Sequence, residues 1–239
     1  MMVAKAHACL KRSPTVVSPS DAIATLRRFY GRVEPPPTRK AFELILFENV
    51  AYLAPAPRRL QAFELLKQSI GTAPEAILGA TRALLERVAA HGILKARFAD
   101  KLRECARIAI DQFAGDVGAA LQGPIESARS ALRKFPGIGA PGADKILLFC
   151  GRAACLAPES NGLRVLARLG FIDDDKSYAR MYRASTAVEQ QLPAKIPQMQ
   201  QAHLLLQRHG ATLCKRSSPL CSECPLANDC AYYEAAATR

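Results

Sequence analysis

The sequence contains no long apolar run. Its longest uninterrupted stretches, such as Ile146–Cys150, reach five residues, against the ~20 a membrane span needs. Lys5 and His7 break up Val3–Leu10, so no secretory core is expected, and the chain reads as intracellular, cytoplasmic or nucleoid-associated. Alternating strand segments and Asn-Gly hairpin signals are lacking, which argues against a β-rich fold. Internal repeats and low-complexity tracts are absent too. Acids are in short supply: 21 Asp+Glu stand against 33 Lys+Arg, a formal net charge of +12. The excess suits a polyanionic partner. It is spread in doublets (Arg27-Arg28, Arg39-Lys40, Arg58-Arg59, Arg133-Lys134, Lys215-Arg216) and forms no tail. Charge alone fits a surface that follows a phosphate backbone and a set of solvated helix faces equally well.

What remains is a globular composition, 49% hydrophobic and 23% charged over 239 residues, long enough for a sizeable core. The punctuation predicts helices throughout. Ser18-Pro19-Ser20-Asp21 reads as an N-cap with proline at the first helical position. Phe42, Ile45, Leu46, Asn49 and Leu53 recur at helical spacing, predicting a buried helix over 40–53 that ends before Pro55. Thr72-Ala73-Pro74-Glu75 reads as a capping box. Further helices are expected near 57–69, 79–90, 94–113, 124–134, 142–151, 161–169, 176–191 and 196–209, and residues 1–17 as a loose arm. The fold class is all-α.

Four of the eight cysteines crowd the C-terminus as Cys214, Cys221, Cys224 and Cys230, in the spacing C-x6-C-x2-C-x5-C; Cys9, Cys105, Cys150 and Cys155 are scattered and read as small hydrophobes. Without an export signal, disulfides are disfavoured. Structural zinc usually takes two tight knuckles, and here only Cys221 and Cys224 form one. A cube-shaped iron–sulfur cluster tolerates the longer spacers better. Zinc and iron–sulfur both stay open on spacing.

A second motif, Leu132-Arg133-Lys134-Phe135-Pro136-Gly137-Ile138-Gly139, ends one helix and leads through Gly142 and Ala143 into another. Glycines leave the backbone uncovered, so successive N–H groups and the next helix's dipole can face one anion. Such a turn grips a phosphate without reading a base. A tight turn between packed helices is the bland alternative.

The two motifs together, some eighty residues apart, resemble the helix-hairpin-helix DNA glycosylases of the endonuclease III superfamily, and His209-Gly210 matches that family's approach to its cluster. The resemblance runs from about residue 30 to 235. It implies a [4Fe-4S] cluster on Cys214, Cys221, Cys224 and Cys230. It implies a six-helix domain over 32–153 carrying the hairpin, and a helical iron–sulfur domain from 18–31 plus 154–239. The implied partner is double-stranded DNA with a damaged or abasic site, bound by a monomer without any membrane. Pro136, Gly137, Ile138, Gly139, Gly142 and Ala143, with Lys134, would hold the backbone, and Lys215 and Arg216 would approach it from the cluster loop.

The departures from the family pattern bear on chemistry. Members that also cut the strand carry a lysine two residues after the second hairpin glycine; here that position is Pro141, with Lys145 one helical turn on. The family's catalytic aspartate falls on Glu159, just before Ser160-Asn161, which reads as a helix N-cap. A carboxylate there would stabilise positive charge developing at C1′ as a base leaves. Glu48, Asn49, Tyr52 and Asn161 are the candidate base-pocket residues. The expected activity is that of a monofunctional DNA N-glycosylase of base-excision repair. A non-catalytic binder of damaged DNA and a zinc-stabilised interaction module are the alternatives.

Overall fold

The computed structural model describes residues 17–51 and 53–237. Among them there is no strand; thirteen α-helices and two short 3-10 turns follow one another. Helix α1 (Pro19–Tyr30) starts as its punctuation requires, the Ser18 hydroxyl accepting from the Asp21 N–H at 3.1 Å. Then come α2 (Ala41–Asn49), α3 (Ala56–Ser69), α4 (Pro74–Gly79), α5 (Arg82–Ala89) and α6 (Lys95–Phe113). The hairpin region contributes α7 (Val117–Ala120), α8 (Ile125–Leu132) and α9 (Ala140–Phe149), and the remainder α10 (Ser160–Arg168), α11 (Tyr178–Glu189), α12 (Ile196–Thr212) and α13 (Ala231–Ala237). No helix among the described residues is long and apolar enough to cross a membrane.

Several expectations shift. Helix α2 stops at Asn49, four residues early, and the chain turns through Leu53 at φ 54°. The Thr72 capping box does not form: Ala73 is the N-cap of α4 without a side-chain bond, because the Thr72 hydroxyl donates to Glu43 Oε1 at 3.0 Å. Segment 32–153, expected to hold six helices, holds eight helical stretches, of which α4 and α7 span six and four residues. Neither α7 nor α13 is foreshadowed by periodicity. The loose-arm reading of 1–17 concerns residues that, Val17 aside, lie outside those described.

Packing divides the helices into two groups. Helix α2 is the axis of the first, burying Phe42, Ile45 and Leu46 among α3, α6, α7 and α9. Phe135 of the hairpin plugs this core, stacked on Phe113 with centroids 5.6 Å apart. In the second group α1 and α10 both lie on α12, whose Leu205 and Leu206 meet Leu26, Leu163 and Leu166 in the core. Helices α10 and α12 approach so closely that a Cβ on Gly210 would stand 2.6 Å from the Asn161 carbonyl oxygen. Only glycine fits, since rigid backbone cannot yield as a side chain can. The substitution Gly210→Ala should therefore cost about 2 kcal/mol, the range of an overpacked core, read as a lower urea midpoint with an unchanged m-value.

Candidate functional site

The Pro-Gly-Ile-Gly bend presents its polar backbone outward. Phe135 and Ile138 are buried, while Arg133, Lys134, Gly137 and Gly139 are exposed. Gly137 sits at φ 77°, and a Cβ there would stand 2.8 Å from Asn49 Oδ1, so conformation and space both demand glycine. Helix α9 opens with Gly139 as N-cap, and Pro141 lies in its first turn. The first turn leaves the Ala140 and Gly142 N–H groups without helical partners, aimed along the positive end of the dipole. Lys101 of α6, which no sequence signal marked, has its ammonium 3.6 Å from where that Gly137 Cβ would be. Asn49 is 2% exposed beneath the bend, its amide donating to Ile45 O at 3.1 Å. It braces the turn.

Glu159 is itself the N-cap of α10, one residue before the expected cap. Its Oε1 accepts from the Asn161 and Gly162 N–H groups, each at 3.0 Å, and its Oε2 from the Asn161 amide at 3.1 Å. The carboxylate thus rests at the positive end of a helix. Beside it a groove of about 680 Å³ runs from Ser160 past Tyr178 and Arg168 to Arg216.

Helices α2 and α9 bring together two residues 97 apart in sequence: Lys145 Nζ and Glu48 Oε2 lie 2.5 Å apart, with side chains 16% and 20% exposed. Burial opposes ionisation of Glu48, but the charges of Lys145 and Arg59 outweigh it and hold its pKa below the usual carboxylate range. Arg59 contributes a buried Nε–H that has no hydrogen-bond partner among the described residues. His203 of α12 lies behind this pair, its Nδ1 2.9 Å from the Ala157 carbonyl and 3.2 Å from that of Leu156. Both contacts require the proton on Nδ1. Burial, reinforced by the charge of Lys145, pushes His203 down to about 4. Tyr52, the remaining pocket candidate, lies outside the described residues.

Cys214, Cys221, Cys224 and Cys230 all line one cavity together with Arg168, His209 and Leu226. Four thiols facing one cavity supply the donor type that an iron–sulfur cluster takes. Cys224 is pushed up to about 11 by burial, reinforced by Cys230, Cys214 and Cys221. A thiol raised in this way serves as a metal ligand only once positive charge draws off its proton. Nitrogen atoms face two of the four sulfurs. Arg168 Nη1 is 3.3 Å from Cys214 Sγ, and His209 Nε2 is 3.5 Å from Cys224 Sγ while its Nδ1 meets the Tyr30 hydroxyl at 3.0 Å. Such bonds orient thiolate ligands and moderate their charge. Arg168 also donates to the carbonyls of Lys215 and Arg216, at 2.7 and 3.2 Å, and both side chains stand exposed. The scattered Cys105 and Cys155 are buried and pushed up to about 12 by desolvation, as inert core thiols should be.

Residues 214–230 match the iron-sulfur binding domain of endonuclease III. The chain carries a segment similar to that domain on an all-α fold like that of endonuclease III. The match supports a [4Fe-4S] cluster in this segment, and Cys214, Cys221, Cys224 and Cys230 are the residues that would hold it. The endonuclease III of Sulfolobus acidocaldarius is 27% identical over 203 residues, covering 82% of this chain and 84% of that protein. A trapped endonuclease III–DNA covalent intermediate superposes with a TM-score of 0.74 at 20% identity, covering 90% of this chain and 95% of the other. A thermostable thymine-DNA glycosylase superposes at 0.71 and 19% identity, covering 89% and 95%.

His203 makes stability depend on pH. The unfolded chain takes up a proton near 6.5 whereas the folded one holds out to about 4, so stability rises with pH across that window and is lost on acidification. The loss should be on the order of 3 kcal/mol. Denaturant titrations from pH 7 to 4 should show it, with a shallower slope in His203→Gln.

Proposed function

We propose that the protein is a DNA N-glycosylase that hydrolyses the bond between a flipped, damaged base and its sugar without cutting the strand. The observation that carries this reading is Glu159: an ionisable carboxylate fixed at a helix N-terminus, beside a groove that runs to exposed Arg216. In that reading the backbone N–H groups after Gly139, with Lys134 and Lys101, hold a phosphate and draw the damaged nucleotide in. The base enters between α2 and α9, where Glu48, Lys145 and Arg59 meet. Glu159 then faces the sugar and offsets the positive charge that grows on C1′ as the C–N bond lengthens, with water adding to the opposite side. Asn161 keeps the carboxylate turned by its amide bond. The cluster, when bound, ties 214–230 into one unit that carries Lys215 and Arg216; four thiolates leave it no open position for the reaction.

Loss of strand cleavage follows from two features. Pro141 offers no amine to attack C1′. Lys145, the nearest substitute along α9, is already engaged by Glu48. A second reading, a binder of damaged DNA that has lost the chemistry, is favoured by the engagement of both Glu159 oxygens, Oε1 as a helix cap and Oε2 by the Asn161 side chain.

One experiment separates the two. Protein of confirmed iron content is screened for base release from duplexes containing uracil or alkylated, oxidised or deaminated bases. Release of at least one base, abolished by Glu159→Gln with abasic-duplex affinity within about twofold, is the expected result. Abasic binding without any release establishes the binder. Borohydride should trap no covalent adduct; a trapped adduct that disappears in Lys145→Met would restore strand cleavage through that amine.

A further inference from the structure

The segment that delivers Glu159 is itself under strain. Ala157 occupies the left-handed region at φ 44°, disfavoured for a residue with a Cβ. Nothing in the local sequence demands that conformation, so the surroundings must impose it.

They do so from three helices. From α11, Glu189 Oε2 accepts the Leu156 N–H at 2.7 Å, and the Tyr178 hydroxyl donates to the Pro158 carbonyl at 3.4 Å. From α12, His203 Nδ1 reaches the carbonyls of Leu156 and Ala157. From α9, the Asp144 carbonyl accepts the Cys155 thiol at 3.3 Å. Every residue from Cys155 to Pro158 is thus held by a side chain or backbone group distant in sequence.

The grip continues to the phosphate-binding bend. The Asp144 carboxylate is 8% exposed on the helix that follows the bend; it accepts Arg129 Nε of α8 at 2.5 Å and the Tyr182 hydroxyl of α11 at 2.7 Å. The Tyr182 ring lies nearly parallel to that of Tyr178, at 13° with centroids 6.3 Å apart. A continuous path therefore runs from both hairpin helices through Asp144, Tyr182 and Tyr178 to the Pro158 carbonyl, one residue before Glu159.

We propose that Asp144, Tyr182 and Tyr178 are positioning residues that set the Glu159 carboxylate at a fixed distance from the hairpin. The inference rests on the role assigned to Glu159 above. A phosphate held at the bend and a carboxylate placed at C1′ must keep one spacing, because misplacement by about 1 Å is enough to cost up to a hundredfold in rate. Strain at Ala157 is what that fixed spacing requires, and the surrounding bonds sustain it.

The test compares two abasic duplexes on the intact, cluster-containing chain: one with a cationic pyrrolidine in place of the sugar, the other with neutral tetrahydrofuran. The ratio of their affinities reports a carboxylate facing positive charge, whether or not a base is ever released. The wild-type protein should prefer the pyrrolidine. Tyr182→Phe and Tyr178→Phe should each cut the preference about tenfold, towards the value of Glu159→Gln, while leaving tetrahydrofuran affinity within twofold. Neither should lower the ratio further in the Glu159→Gln background. The proposal is overturned if both affinities fall in parallel, if the ratio is unchanged, if the losses add to that of Glu159→Gln, or if the wild type shows no preference. A wild type that prefers pyrrolidine, loses the preference on Tyr182→Phe and releases no base from any duplex would uphold the positioning role and refute the glycosylase reading.

Discussion

The close seating of α10 on α12 is the constraint on which the rest depends. Helix α10 carries Glu159 at its start and sends Arg164 and Arg168 to the carbonyls of the cysteine loop from its flank. Arg164 also donates to Asn161 Oδ1 and the Gly210 carbonyl, both at 2.7 Å. One helix thus links the Glu159 carboxylate, the cysteine loop and the backbone of its neighbour. A shift of α10 would move all of them together, and the absence of a side chain at Gly210 is what lets it sit where it does.

Features with a short sequence reach were readable in advance. Local chemistry decides a helix start such as Ser18-Pro19, so α1 lies where its residues place it. The bend was legible for the same reason: glycines and proline at fixed offsets leave the backbone few options. Four cysteines within seventeen residues announce a shared ligand, since their separation limits how far apart the sulfurs can stand. The Thr72 capping box failed where a tertiary partner, Glu43, competed for the same hydroxyl. Long-range pairs carried no signal. Glu48 with Lys145, Asp144 with Tyr182, and Lys101 beneath the bend depend on which helix faces are brought together. A single sequence does not encode that in any periodicity.

Pro141 and Lys145, the partner of Glu48, lie one helical turn apart on α9. Proline suits the first turn of α9, having no N–H to satisfy there, but it removes the position from amine chemistry. A cation is still supplied to the same cleft one helical turn later, where a carboxylate neutralises it. Asn49, next to Glu48 on α2, has meanwhile been turned away to support the bend. Adjacent residues on one helix end therefore serve different masters, one the cleft and one the turn.

Tyr30 of α1 meets His209 of α12, whose other ring nitrogen faces Cys224. Helix α1 is completed only by residues made some 180 positions later. During synthesis α1 leaves the ribosome with its apolar face bare, and it must wait for α12 before it can dock. Iron–sulfur assembly and the docking of α1 then become events of the same late moment.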